Sequence, residues 1–314
     1  MIDLIIPYYK NIAGLTATLL SINYDIFQVT IVDDGSDSAM DLAYEFGCNI
    51  ILLGENRGPG HARQIGIDYT NNEYIMFIDT NDIFVSKEIQ EEILYIIKEK
   101  PQSNVFSWLY YYKDELTKHT DNRMHGKVYR RDFLKKYNIT FCAESSYMDE
   151  DIGFNRTCRL IIEQNNLLST RIDKPVIKWI ENKDSLTQKD NCAALYRDQT
   201  RALSLVSIHT IETCRKNNID TSSEINQIAI SLYYWFLQTL IKRPEFIRQA
   251  WEGAKIFYKK YENDINPNTI ILGNPEIKNC LELRTKVKFP INILRFAKEI
   301  MHSENIPDYY LTIF

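Results

Sequence analysis

The stretch Tyr74-Ile75-Met76-Phe77-Ile78-Asp79-Thr80-Asn81-Asp82 constrains this chain more than any other. Its first five residues are apolar and rich in aromatic and β-branched side chains, the pattern of a central strand covered on both faces. The run then stops in two carboxylates and a carboxamide. Polar groups at the carboxyl end of a strand sit where open α/β sheets bind their ligands. Asp79, Asn81 and Asp82 together offer oxygen donors to a hard divalent cation, Mn²⁺ or Mg²⁺, and through it to a diphosphate. The same residues would also suit an Asp/Asn-rich turn.

Other strand patterns end in the same way. Leu4-Ile5-Ile6 closes on Pro7-Tyr8-Tyr9, and Gln28 to Val32 closes on Asp33-Asp34-Gly35-Ser36. Asn49 to Leu53 reads as a third strand, and Gly58-Pro59-Gly60 breaks the chain before a helix from His61 to Tyr69. Strands alternating with helices predict a mostly parallel sheet flanked by helices, wound by right-handed crossovers. A helix is expected at Lys87–Lys100, strands at Val105–Tyr112 and Gly126–Tyr129, and a last strand at Pro175–Ile180. Beyond Lys189 the apolar period becomes helical throughout, at Leu195 to Thr210, Ile225 to Leu240, Pro244 to Phe257 and Pro290 to Ile300. Two domains follow, 1–189 of α/β type and 190–314 all-helical.

Charge and cysteine content exclude several classes. Residues 190–314 hold 16 Lys/Arg and 14 Asp/Glu, against 21 and 28 in residues 1–189, for a net charge of −5. Neither part carries the basic stripe of a nucleic-acid binder, although a local patch is not excluded. The six cysteines form no C-x-x-C pair, which argues against structural zinc and for a reducing, cytoplasmic setting. Met1 to Pro7 is apolar without a basic leader, so no signal peptide is expected, and no apolar run approaches membrane-spanning length.

The order of these segments resembles a family 2 glycosyltransferase with the GT-A fold. The resemblance rests on Ile5 to Tyr9, Val32 to Ser36, Asn56 to Arg63, Phe77 to Asp82, Gly126 to Leu134 and Glu150-Asp151-Ile152-Gly153-Phe154. It does not reach the helical tail. It implies an inverting transfer from a nucleotide-diphosphate sugar, most naturally UDP-linked, to an acceptor hydroxyl. Pro7, Tyr8 and Tyr9 would wall the base, and Asp33 or Asp34 would accept from its N–H, unless one of the two caps a turn. Arg63 would approach the nucleotide or form a salt bridge. Asp79 and Thr80 would lie at the sugar nucleotide, with the cation on Asp79, Asn81 and Asp82.

One departure from the family pattern is plain: the third position of its D-x-D motif is Asn81, which brings no charge to a cation. In the acidic run Asp149-Glu150-Asp151, the resemblance makes Asp151 the base for the acceptor hydroxyl, with Glu150 beside it. Adjacent acids repel, which raises at least one pKa. His125 is near the expected substrate segment, and a lone histidine is commonly structural. Lys183 would neutralise the leaving diphosphate or simply be a solvated lysine.

The helical tail is expected to bind the acceptor or to join copies of the chain. Asn81 also leaves room for a nucleotide-sugar binding module with weak or no turnover. A nucleotidyltransferase would want a basic glycine-rich loop where Pro7-Tyr8-Tyr9-Lys10-Asn11 stands. The acceptor stays open among glycan, teichoic-acid-like polymer, protein and a modified DNA base.

Overall fold

The computed structural model describes residues 1–119, 122–145, 147–180, 193–266 and 293–311. The chain divides into two units, Met1–Asn182 and Lys183–Phe314. The boundary expected at 189/190 lies outside the described residues.

In the first unit, β1 (Ile2–Tyr8) is buried along its whole length. It is followed by α1 (Ile12–Leu20), β2 (Phe27–Asp33), α2 (Met40–Glu45), β3 (Asn49–Leu52), α3 (Pro59–Tyr69) and β4 (Tyr74–Phe77). Asn11 caps α1 by accepting from the Gly14 N–H at 3.0 Å. Pro59 opens α3 behind Gly58, whose φ of 94° a side chain would resist. Next come β5 (Ile83–Phe84), α4 (Lys87–Glu99), β6 (Val105–Tyr112), β7 (Glu115–Leu116), β8 (Lys127–Arg130), α5 (Arg131–Lys136), α6 (Glu150–Gln164) and β9 (Ser169–Trp179).

The strand order is β3-β2-β1-β4-β8-β6-β9-β5, with β7 on β6. It is parallel from β3 to β4, as the alternation predicts. Beyond β4 the sheet is mixed: β8 runs antiparallel to both β4 and β6, β9 parallel to β6, and β5 antiparallel to β9. The chain steps from β1 outward to β3 and returns on the other side of β1 as β4. That reversal is a topological switch point, and the tips of β1, β2 and β4 open there.

Two packing features fix the site. Gly66 lets α3 lie close on β1, because a Cβ there would stand 2.4 Å from Ile5 Cγ2. On α6, Phe154 stacks on Phe141 at 4.4 Å and meets Phe77 of β4 and Tyr129 of β8 edge-on. Aromatic contacts of this kind contribute about 0.5–1.5 kcal/mol each beyond area burial. They hold the acidic start of α6 against the sheet.

The second unit is helical: α7 (Ala193–Lys216), α8 (Ser222–Lys242), a 3₁₀ turn at Pro244–Phe246, α9 (Ile247–Lys260), then Ile293–His302 and Asp308–Leu311. Its core gathers Phe236, Trp251, Phe296 and Tyr310. Among the described residues no helix is long and apolar enough to cross a membrane.

Candidate active site

Asp79 leaves the tip of β4 and meets a guanidinium. Arg63 of α3 donates from Nη2 to Asp79 Oδ1 at 2.6 Å and from Nη1 to Glu150 Oε1 at 2.8 Å. A buried cation is costly unless paired, and here one arginine is shared by two carboxylates from separate elements. The pairing raises the Arg63 pKa despite its burial. Burial works against an ionised Asp79, yet Arg63 and His125 outweigh it and keep its pKa below the ordinary value. Glu150 is different: burial and the neighbouring Asp151 charge push it up to about 7 against the pull of Arg63.

His125, just before β8, reaches the same place. Its Nε2 lies 3.2 Å from Asp82 Oδ2 and 3.8 Å from Asp79 Oδ2. Its ring stacks on Tyr110 at 5.0 Å, and its Nδ1 is buried with no hydrogen-bond partner among the described residues. Burial opposes a charged imidazole, but Asp82 and then Asp79 prevail and raise its pKa. Burial raises that of Asp82 in turn, against His125. Asp79, Asp82 and His125 bring one ligand atom each within 4.8 Å of one another. The carboxamide nitrogen of Asn81 donates to the Ile180 carbonyl at 2.8 Å.

Asp151 sits in the first turn of α6, half-buried beside Glu150. Arg123 Nη1 stands 3.8 Å from its Oδ2. One turn on, Asn155 donates to the Asp151 carbonyl at 2.8 Å while its own Oδ1 accepts from Lys127 and Tyr129. The base of the helix turn is thereby tied to β8.

On the β1 and β2 side, Asp33 accepts from Ser36 N and Oγ (2.8 and 2.6 Å) and from the N–H groups of Ser38 and Ala39. Asp34 accepts from the N–H groups of Arg57 and Gly58 at 2.9 and 2.7 Å. Both carboxylates cap loops in this structure, and Asp34 joins the second motif to the third. Pro7 and Tyr8 are buried, with Tyr8 Oη 2.7 Å from Ser38 Oγ, whereas Tyr9 is exposed. Thr80 is half-buried in the turn after Asp79. Lys183 lies outside the described residues.

The structure adds residues that no motif announced. Tyr147, three residues before Glu150, donates its hydroxyl to the Asn56 carbonyl at 2.6 Å and lies 2.8 Å from Asn56 Oδ1. Asn155 and Arg123 likewise owe their place to the fold. Only the helical offset of Asn155 from Asp151, four residues, was a readable signal.

Residues 3–148 match the model of Glycosyl transferase family 2. This part of the chain is a family 2 glycosyltransferase domain. The chain is 28% identical over 109 residues to an uncharacterized glycosyltransferase of Haemophilus influenzae, covering 33% of this chain and 37% of that protein. It is 26% identical over 147 residues to glycosyltransferase GlyG of Streptococcus pneumoniae, covering 42% and 45%. The chain thus spans less than half the length of either relative. Among solved structures, S. aureus TarS 1–349 in complex with UDP-GlcNAc is similar in fold, with a TM-score of 0.66 at 16% identity, over 96% of this chain and 90% of that one. The first unit therefore has the GT-A architecture, a mixed sheet between helices, and the second unit is helical.

Proposed function

We propose that this chain is an inverting glycosyltransferase that moves a sugar from a nucleotide-diphosphate donor, UDP-linked, to an acceptor hydroxyl. The observation that carries the reading is the convergence of Asp79, Arg63 and Glu150, with Asp151 next in sequence on the first turn of α6. Asp151 takes the proton from the acceptor oxygen as that oxygen attacks the anomeric carbon. The bond to the diphosphate breaks on the opposite face, and the nucleoside diphosphate departs. Glu150 stays behind as the buried anchor of Arg63 and keeps the turn in place. The nucleobase lies against Pro7, Tyr8 and Tyr9 near Asp33 and Asp34, and Thr80 lies toward the sugar.

A divalent cation fits this site. Two carboxylates suit Mn²⁺ or Mg²⁺, the buried Asp82 Oδ2 has no hydrogen-bond partner among the described residues, and His125 turns its Nε2 toward both acids. Asp79 and Asp82 would hold it, with His125 completing the set, and it would neutralise charge on the leaving diphosphate. Lys183 would add a fixed positive charge there. The UDP-GlcNAc named with the TarS structure supports a UDP-linked donor. The acceptor is a hydroxyl of a glycan, a teichoic-acid-like polymer, a protein or a modified DNA base, the tail shapes its site or an oligomer contact, and the setting is cytoplasmic.

The test is a donor screen by thermal shift with and without Mn²⁺, then transfer assays on the native chain and Asp151→Asn. Transfer lost in the variant with donor affinity kept supports the reading. Donor binding without turnover in both proteins would make the chain a binding module instead.

A further inference from the structure

Asn81 occupies the position where the family pattern has a cation-ligating acid, and its carboxamide nitrogen is committed to another partner. Nδ2 donates to the Ile180 carbonyl at 2.8 Å across 99 positions of sequence. Its backbone N–H is held from α1, 3.0 Å from Thr18 Oγ1 and 3.3 Å from the Gly14 carbonyl. The residue sits at φ 90°, a backbone that asparagine tolerates better than most side chains. Next to it, the Thr18 hydroxyl donates to the Asp82 carbonyl at 2.8 Å.

These contacts continue a ladder. β5 pairs with β9 through Ile83↔Lys178 and Phe84↔Ile177, and Val85 N–H donates to the Val176 carbonyl. Past Ile83 the backbone ladder gives way to a side chain, with the Asn81 carboxamide holding the Ile180 carbonyl.

We propose that Asn81 is a clip for the outgoing end of β9 and not a ligand of the cation. The proposal rests on the reading of this corner as a cation and diphosphate site. The partner explains the residue type. A carbonyl oxygen needs a donor, and an aspartate would set a second acceptor against it at the same distance. The carboxamide therefore replaces the acid at the cost of one ligand charge, and the cation is left to Asp79, Asp82 and His125. Asn81 is thus a positioning residue, fixing where the chain leaves β9 before the stretch that carries Lys183.

Two measurements on the full chain decide it. Mn²⁺ titration by calorimetry compares the native protein with Asn81→Ala and Asp79→Ala. Amide hydrogen exchange follows residues 176–180 in the native protein, Asn81→Ala and Asn81→Asp. Expected are a Mn²⁺ Kd within about threefold of native for Asn81→Ala and exchange about tenfold faster in both Asn81 variants, the size of one lost hydrogen bond. Asp79→Ala is expected to weaken Mn²⁺ by more than about tenfold. A larger loss of Mn²⁺ affinity in Asn81→Ala, or unchanged exchange in both variants, overturns the clip. If the native protein binds no Mn²⁺, the cation reading fails, and the exchange data still decide the clip.

Discussion

Arg63 Nη1 lies 2.8 Å from Glu150 Oε1, and both side chains are buried. The pair joins α3 to α6 across 87 positions of sequence. The other arm of the guanidinium holds Asp79. Removing the guanidinium takes the counter-charge and hydrogen-bond donor from the buried Glu150 and from Asp79, whose side chain is 40% exposed. Arg63→Met is therefore expected to cost about 3–5 kcal/mol of stability. Glu150→Gln in the same background should restore part of that, so a double-mutant cycle in urea should give a coupling above about 1 kcal/mol. Additive losses would mean that the pair is decoration.

Glu150 also predicts a pH dependence. Its carboxyl is pushed from an ordinary 4.5 up to about 7, by burial first and by Asp151 next. Between those two values the folded, cation-free protein keeps a proton that the unfolded chain releases. Stability from this group is therefore full below about pH 4.5 and is lost as pH rises through about 7. The loss is on the order of 3 kcal/mol. Urea midpoints measured across that window should fall for the native chain and stay flatter for Glu150→Gln. A native profile as flat as the variant's would refute the assignment.

Tyr147 ties the loop before α6 to Asn56, and Asn56 adjoins the Arg57 and Gly58 N–H groups that hold Asp34. The hydroxyl thus links the expected base pocket to the segment carrying Asp151. Tyr147→Phe keeps the ring and removes the bonds. On the proposed function, donor KM should rise about three- to tenfold with kcat within about twofold, the size of one net hydrogen bond spent on preorganisation. Stability should change by less than about 1 kcal/mol, because the hydroxyl is near the surface. A fall in kcat at unchanged KM would place Tyr147 on the acceptor side instead.

Much of this arrangement was legible before any coordinates. Buried strands advertise themselves by apolar runs, and the polar residues that end them mark the strand tips, which is why Asp33, Asp79 and the tail helices could be located. Strand direction was less readable. Nothing in Lys127–Arg130 says which way it runs, because direction depends on where the chain returns after α4 and β6. Side-chain partners were least readable of all. Arg63 reads as a group near the nucleotide or in a salt bridge, and only the fold shows it shared by Asp79 and Glu150. Asn81 reads as a weakened ligand until Ile180 is seen beside it. His125 and Tyr147 sit in irregular segments, where no period constrains a side chain.

The helical unit makes a prediction of its own at Gly253. Here α9 crosses α7 so closely that a Cβ on Gly253 would stand 2.5 Å from both the Arg201 N and Thr200 Oγ1 and 3.0 Å from Arg201 Cα. Ser204 donates to the Gly253 carbonyl at 2.8 Å, which holds the two backbones at that distance. Alanine in a helix interior ordinarily gains up to about 1 kcal/mol over glycine. At this crossing two of the three overlapping atoms belong to the Arg201 backbone, which cannot swing away, so Gly253→Ala should instead destabilise by about 1–3 kcal/mol. The control is Gly54→Ala, where the added carbon meets nothing within 4 Å and the backbone is ordinary. That variant should be neutral or gain up to about 1 kcal/mol. Thermal and urea unfolding of the two variants beside the native chain provide the check. A Gly253→Ala protein as stable as native would show that the helices can part at that crossing without loss.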